Sequence, residues 1–139
     1  MEPVLQEEKT GCAIASSAAI AGISYIKAKK IAKNLGISAD NKELWSQTDP
    51  IRKLLNTLKI NTHSQEVSFH SWESLPDCAL LSIKWHLEAD KPYWHWVVFI
   101  RDDSGEYVLD SSNRLKNNIR TDFGRMRPKW FIEILNKSL

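Results

Sequence analysis

The first predicted helix is apolar on nearly every side. The segment from Gly11 to Ala21 consists of small and apolar residues and carries no charge. A helix with this pattern lies buried rather than on the surface, and its small side chains let other elements approach closely. Thr10 has the side chain of an N-cap, and Gly22 follows where the helix is expected to end.

Two further helices are predicted from their capping signals. Ser24 can cap a second helix that reaches about Leu35, and Gly36 provides its C-terminal stop. The dipeptide Asp49-Pro50 is typical of the N-cap and first turn of a third helix, which extends to about Lys59. The apolar residues of this helix recur at helical spacing, at Ile51, Leu54, Leu55 and Leu58.

The periodicity changes from helical to strand-like in the second half of the chain. Apolar runs from Cys78 to Trp85 and from Trp94 to Arg101 predict buried strands. A turn at residues 102–105 leads into a strand from Glu106 to Asp110, and the tail from Lys129 to Leu135 predicts one more. The chain therefore indicates an α+β fold, with N-terminal helices packed on an antiparallel sheet.

Composition and charge exclude several classes of protein. The 139 residues predict one domain, and the 42% apolar and 26% charged residues are typical of a globular chain. The formal net charge of +2 is too small to predict binding to nucleic acid, which requires a clustered basic patch.

No segment predicts a membrane span or a signal peptide. The longest apolar stretch, from Ala13 to Ile23, is interrupted by Ser16 and Ser17 and is too short to span a bilayer. Acidic residues precede it where a signal peptide has basic ones, at Glu2, Glu7 and Glu8. We predict a protein that is cytoplasmic as synthesised and is not bound to a membrane, and export by a signal-independent route would leave no mark in the sequence.

The two cysteines lie in different settings and are too few for a disulfide scaffold. Cys12 falls in the first turn of the predicted helix, where partial positive charge and free N–H groups favour the nucleophilic thiolate. A small core residue in a small-residue helix is an equally good interpretation of that position. Cys78 begins an apolar strand and is interpreted as a buried core thiol.

The register of the predicted hairpin brings a histidine and a carboxylate together. If Asp102 pairs with Gly105 across a two-residue turn, Val97 lies opposite Asp110. Residues two apart along a strand share a face, so His95 and Asp110 become diagonal neighbours within side-chain reach. A carboxylate there can hold an imidazole in one tautomer.

His95 and Asp110 end an apolar pair of strands, and both are predicted at the edge of the sheet rather than deep in its core. Trp94 and Trp96 flank His95 and are expected on the opposite face, where they anchor the strand. The alternative interpretation is a histidine that only caps a buried strand.

The order of four polar positions resembles that of the papain-like cysteine peptidase superfamily. The matching segments are Gln6, Gly11-Cys12-Ala13 at the start of an Ala-rich helix, His95-Trp96-Val97-Val98-Phe99 and Val108-Leu109-Asp110. Within that superfamily, the length and spacing are most similar to the bacteriocin-leader peptidase domains of ABC exporters. They are also similar to bacterial effector glutamine deamidases on the same core. The resemblance covers residues 4–112.

This resemblance implies a papain-like fold and hydrolysis of a protein or peptide amide. It makes Cys12 the nucleophile, His95 the general base and Asp110 the group that orients the histidine. Gln6 would join the backbone N–H of Cys12 in an oxyanion hole. The same residues serve a peptidase, which we expect first, or a glutamine deamidase.

A non-catalytic peptide-binding module on the same fold is the second class of function. Asn113 is an alternative to Asp110, because papain itself uses an amide in that role, but the hairpin register favours Asp110. Residues 114–127 are basic and polar, which fits either a solvated loop or a surface for an acidic partner. The partner is expected to be a protein or peptide substrate, and the sequence does not indicate its identity or the oligomeric state.

No cofactor or metal ion is predicted. The best candidates for a cluster of metal ligands are His86, Glu88, Asp90 and His95. Their spacing matches no zinc motif, and this segment is predicted to form a loop between strands.

Overall fold

The computed structural model describes residues 1–137, which form three α-helices packed against an antiparallel sheet. The helices are α1 (Cys12–Ala21), α2 (Tyr25–Asn34) and α3 (Asp49–Thr57). The strands are β1 (Ile60–Thr62), β2 (Val67–Ser68), β3 (Cys78–Glu88), β4 (Lys91–Asp102), β5 (Gly105–Leu109), β6 (Ile119–Arg120) and β7 (Trp130–Lys137). Short 3₁₀ helices lie at Lys42–Trp45 and Phe123–Arg125. The α+β prediction is confirmed.

The sheet places β4 near its centre. The strand order is β1, β7, β3, β4, β5, β6, and β2 pairs separately with β7. Every neighbouring pair is antiparallel, and the last strand in the chain, β7, lies between β1 and β3. No helix in the described residues is long and apolar enough to cross a bilayer.

The β4–β5 hairpin has the predicted register. Asp102 lies opposite Gly105, whose φ of 110° suits the tight turn, and the ladder continues to Val98 opposite Leu109. The chain then turns away, and the N–H of Asp110 donates to the carbonyl of Asn118 at 2.9 Å. Pairing between β4 and β5 therefore stops before it reaches the level of His95.

The predicted position of the histidine at the edge of the sheet is wrong. His95 lies in a central strand, opposite Ile83 of β3. Its side chain is 13% exposed and lies at a level of β4 that the pairing with β5 does not reach.

The predicted loop between the third and fourth strands is also wrong. β3 and β4 continue as one long hairpin in which Glu88 lies opposite Lys91. Ala89 and Asp90 close it with φ values of 50° and 66°, which is the conformation of a two-residue hairpin turn. The tip carries exposed polar side chains, so it lacks the apolar alternation on which strand prediction depends.

The helix ends follow most of their sequence signals. Ser24 caps α2 by accepting a hydrogen bond from the Lys27 N–H at 3.1 Å, and Gly22 ends α1 in the left-handed region. Thr10 is not the cap of α1, because its hydroxyl instead donates to the carbonyl of Ala39. Gly11 occupies the N-cap position without a side-chain hydrogen bond.

The third helix begins at Asp49, which places this residue in the first turn rather than at the N-cap. Thr48 is the N-cap and makes no side-chain capping hydrogen bond there. The carboxylate of Asp49 still lies near the positive end of the helix dipole, where it is favourable.

The core divides into two parts, one on each face of the sheet. On one face, α1 is buried from its first residue to Ile20 and packs against Trp94 and Trp96 of β4. These two indoles and Trp130 form edge-to-face contacts with centroids 4.9–5.6 Å apart. The opposite face of β4 contributes Val97 and others to a second cluster. Trp94 and Trp96 therefore lie on the face of β4 that packs against α1.

Candidate functional site

Cys12 is the first residue of α1, and its side chain is fully buried. The N–H groups in the first turn of a helix have no intrahelical acceptor, and they favour negative charge beside them. The preceding chain packs tightly, since the Gly11 N–H donates to the Glu8 carbonyl at 3.0 Å. A Cβ on residue 11 would lie 3.1 Å from that oxygen and 3.2 Å from the Cβ of Gln6. Glycine is therefore favoured immediately before the cysteine.

A second contact holds the segment before Cys12 against α2. The Glu8 carboxylate accepts hydrogen bonds from the Tyr25 hydroxyl and from the Lys29 ammonium group. The Glu8 side chain is largely buried, and its negative charge is balanced by the ammonium group of Lys29.

His95 lies beside both Asp110 and Cys12. Its Nε2 lies 2.7 Å from Oδ1 of Asp110, and the Cys12 side chain is close enough to the ring to raise its pKa. Because Nε2 is used by the carboxylate, Nδ1 is the nitrogen that remains for the thiol. The structure thus brings the cysteine, the histidine and the aspartate of the sequence prediction together at one place.

The contacts of His95 change its protonation. Burial alone would lower the pKa of His95, but the hydrogen bonds to Asp110 and Cys12 outweigh it and raise the pKa to about 9. Burial likewise opposes ionisation of Asp110. Hydrogen bonds from His95, the Ser112 N–H and Arg120 nevertheless hold the pKa of Asp110 at about 2. At neutral pH the pair is an imidazolium and a carboxylate.

Arg120 binds the second oxygen of the carboxylate. Its Nη1 lies 3.0 Å from Oδ2 of Asp110, and its Nε and Nη2 bind Asp122 at 2.9 and 2.7 Å. The Ser112 N–H donates to Oδ1 at 3.0 Å, so both oxygens of this 1%-exposed side chain have partners. Asn118 fixes the same loop by donating to the carbonyls of Asp110 and Ser112. Buried charges require this degree of pairing.

Arg120→Gln is expected to destabilise the protein by about 3 kcal/mol, because it leaves a buried carboxylate without its cationic partner. Asp110 contributes stability that is present above its ordinary pKa of 3.8 and is lost as the pH falls through about 2. Without Arg120 the folded-state pKa of Asp110 rises, so acid unfolding begins at a higher pH. Urea unfolding at pH 3 to 7 measures both effects.

Asp122→Asn is the matched control for the arginine variant. It removes only the exposed half of the Arg120 contacts, and exposed ion pairs contribute about 1 kcal/mol or less. Equal losses of stability in the two variants would contradict the importance of the buried contact.

Gln6 lies beside the site, but its amide is engaged elsewhere. Its Nε2 donates to the carbonyls of Glu8 at 3.0 Å and Lys9 at 3.1 Å, and its Oε1 accepts from the Ser111 hydroxyl at 2.7 Å. The backbone N–H of Gln6 also binds the carbonyl of Ser111 at 3.0 Å. Both amide hydrogens point at the loop's own carbonyls, so a bond to substrate requires one of them to be released.

A cavity of about 410 Å³ opens beside His95. Part of its wall is formed by Gln6, Trp45, Trp94, His95, Ser112 and Asn113. The indole nitrogens of Trp45 and Trp94 are buried without a hydrogen-bond partner within the described residues. The cavity therefore combines flat apolar walls with polar groups close to the histidine.

The remaining candidates from the sequence lie in other settings. Asn113 is exposed in the cavity wall, and it is Asp110 that hydrogen-bonds to His95. His86 and Glu88 bind each other at 2.7 Å on the exposed part of the long hairpin. Cys78 is a free thiol whose pKa is raised to about 12 by burial.

Sequence reasoning did not find Arg120 or Asn118. The only signal was the basic and polar character of residues 114–127, which does not distinguish a solvated arginine from a buried one. Their contacts depend on a two-residue strand, β6, whose pairing partner is β5.

Comparisons of the chain with protein-family models, with curated proteins and with solved structures found no match.

Proposed function

We propose that this protein is a papain-like cysteine hydrolase that cleaves an amide bond of a peptide or protein. The observation that carries the proposal is a histidine that hydrogen-bonds to a buried carboxylate and lies beside a cysteine at the start of a helix. A cysteine that only fills the core does not require a charged imidazole beside it.

Before substrate binds, Cys12 has already given its proton to His95, so the reacting pair is a thiolate and an imidazolium. The thiolate attacks the amide carbonyl carbon, and the carbonyl oxygen becomes an oxyanion. His95 then donates its proton to the leaving nitrogen, and the C–N bond breaks to leave a thioester. Deprotonated His95 next activates a water molecule, which hydrolyses the thioester and regenerates the thiol.

Asp110 serves this cycle by holding His95. A carboxylate on Nε2 fixes the ring orientation, directs Nδ1 to the thiol and stabilises the imidazolium. The folded-state pKa of about 9 keeps His95 protonated at neutral pH until it donates to the leaving group.

The oxyanion would be bound by the backbone N–H of Cys12 and by the amide of Gln6. The Gln6 amide can take this role when substrate displaces the Glu8 or Lys9 carbonyl from it. Substrate binding would therefore loosen the segment that lies before Cys12.

A peptidase is the first candidate, and a glutamine deamidase is the second. The full burial of Cys12 favours the second, because a side-chain amide on a flexible stem can reach a recessed thiol through a narrow opening. A backbone amide requires the substrate chain to pass on both sides of the nucleophile, which in turn requires the segment 6–11 to move.

The experiment that tests the proposal is mass spectrometry of a mixture of glutamine-containing synthetic peptides after incubation with the protein. Cleavage yields fragments, whereas deamidation adds about one dalton through the same acyl-enzyme. Cys12→Ser and His95→Asn are each expected to lower the rate by about 10³-fold or more, and Cys78→Ser is expected to leave it unchanged.

Turnover that survives in Cys12→Ser would contradict the proposal. Peptide binding with an unreactive Cys12 would instead support the non-catalytic binding module.

A further inference from the structure

The charges around the cavity are unbalanced in favour of cations. Its wall includes Lys9, Lys84 and Arg114, and its one carboxylate is that of Glu8. Glu8 is already bound by Lys29 and Tyr25. Within residues 1–137, none of the three wall cations lies within ion-pair distance of a carboxylate.

The exposed carboxylates near the wall are paired with other cations. Beyond the wall, Lys42 pairs with Glu88 and Lys91 pairs with Glu43. These carboxylates are therefore engaged, and the cations at the cavity remain available for a ligand.

The backbone of β3 is irregular at one of these cations. Ile83 lies opposite His95 and His86 lies opposite Tyr93, so Lys84 and Trp85 together face a single residue of β4. This is a β-bulge, and Lys84 adopts a backbone φ of 55°, which residues other than glycine rarely adopt. Bulges occur next to active sites, where they redirect a side chain. Here the bulge brings Lys84 into the cavity wall next to the strand position of His95.

The three cations come from separate parts of the chain. Lys9 belongs to the segment before α1, Lys84 to the bulge and Arg114 to the loop after β5, and the fold brings all three to one cavity. A solvated helix face would present its cations in one local run, whereas here three elements converge on the space beside His95.

We propose that these three residues select an acidic peptide, in which carboxylate side chains flank the amide that reacts. This inference rests on the proposed function for the identity of the reacting amide, but the predicted selectivity is a property of binding. The carboxylates would lie against Lys9, Lys84 and Arg114, and the aliphatic parts of the peptide would contact Trp45 and Trp94.

Binding is measured on Cys12→Ser, so that no turnover occurs. The probes are acetyl-Glu-Gln-Glu-amide and its neutral counterpart acetyl-Gln-Gln-Gln-amide. Each is titrated to about 10 mM, a concentration that detects a dissociation constant in the millimolar range. The readout is the ¹H–¹⁵N spectrum of the assigned indole N–H groups. Trp45 and Trp94 report on the cavity, and Trp72 on the opposite part of the core. The acidic peptide is expected to shift the two cavity indoles and to bind about fivefold more tightly, with the difference lost in about 1 M NaCl.

A variant with Lys9, Lys84 and Arg114 all changed to Gln is expected to lose that fivefold difference. The matched control changes the exposed α2 residues Lys27, Lys30 and Lys33 to Gln, which removes the same charge elsewhere. This control is expected to retain most of the difference.

Three results would overturn the inference: no indole shift with the acidic peptide, equal affinity for both peptides, or the same selectivity in the cavity variant as in the control. None of these measurements requires a reactive thiol. A failure of the predicted selectivity can therefore be distinguished from a failure of the proposed chemistry. The chemistry is tested by a separate measurement, the reactivity of Cys12.

Discussion

Asp110→Asn is expected to lower the pKa of His95 from about 9 to its ordinary value of 6.5 or below. The amide retains a hydrogen bond to the ring but carries no negative charge, while the burial that opposes the imidazolium remains. The substitution also leaves the largely buried Arg120 without its buried partner. We expect a loss of stability of about 3 kcal/mol, which is typical when one member of a buried ion pair is removed. The pKa is measured by NMR titration of the histidine ring, and the stability by urea unfolding.

The pH dependence of this loss has a defined sign. The folded-state pKa of His95 lies above its ordinary value, so its contribution to stability is complete below pH 6.5 and is lost as the pH rises through about 9. The contribution of Asp110 is complete above pH 3.8 and is lost as the pH falls through about 2. The stability difference between the natural protein and Asp110→Asn is therefore largest between about pH 4 and 6.5. It narrows toward pH 10 but does not vanish, because the contact with Arg120 persists.

Asp102→Asn is the control for these measurements. Asp102 lies in the same hairpin and accepts hydrogen bonds from the Tyr107 hydroxyl and the Ser104 N–H, but it is exposed. It is expected to change stability little and to leave the His95 titration unchanged. A His95 pKa that stays near 9 in Asp110→Asn would show that the carboxylate does not control the ring.

Trp96→Ala is expected to destabilise the protein by about 3 to 5 kcal/mol, because the indole is fully buried and no neighbour can fill its volume. The side chain makes edge-to-face contacts with Trp94 and Trp130, and its Nε1 donates to the Leu44 carbonyl at 3.3 Å. Its backbone carbonyl accepts from the Ser16 hydroxyl of α1. Removing this side chain weakens the packing of α1 against β4, and therefore the positioning of Cys12.

Thermal and urea unfolding measure this loss, with Trp96→Phe as the comparison. Phenylalanine keeps an aromatic ring in the same space and loses the indole hydrogen bond, so a cost of about 1 to 2 kcal/mol is expected. A cost below 1 kcal/mol for the alanine variant would contradict the central place of Trp96 in the packing of α1.

The part of the site that the sequence predicts is the part controlled by local geometry. The two-residue turn at residues 102–105 sets the register of β4 and β5 as far as Val98 opposite Leu109, and this brings the following residue, Asp110, close to His95. The apolar helix behind Cys12 is recognisable from composition alone. These features depend on neighbours in the chain, and a pattern rule can follow them.

The parts that the sequence does not predict depend on contacts between distant segments. Arg120 lies in a two-residue strand, too short to have a period, and its burial against Asp110 results from the pairing of β5 with β6. The pairing of β1 with β7 joins residues far apart in the chain, with Ile60 opposite Lys137. No local pattern in the sequence specifies which of these distant strands will pair with each other.

Two errors in the sequence reasoning have physical causes. Thr10 has a capping side chain, but α1 begins at Cys12, so the N-cap position falls on Gly11 rather than on Thr10. The hydroxyl of Thr10 is then free to bind Ala39. Only the tip of the long β3–β4 hairpin is predicted as a loop, because this segment is polar, although cross-strand hydrogen bonds form without an apolar pattern.

Competitive alkylation of the two cysteines with iodoacetamide at pH 7, mapped by mass spectrometry, tests the central claim most directly. The account predicts that Cys12 reacts faster than Cys78, although Cys12 is the more deeply buried thiol and Cys78 is partly exposed. An ordinary thiol is only about 3% ionised at this pH, so loss of the imidazolium in His95→Asn should slow the reaction of Cys12 about 30-fold. The rate of Cys78 should not change. Faster reaction of Cys78, or equal rates for Cys12 in both proteins, would show that no thiolate–imidazolium pair exists and would contradict the account.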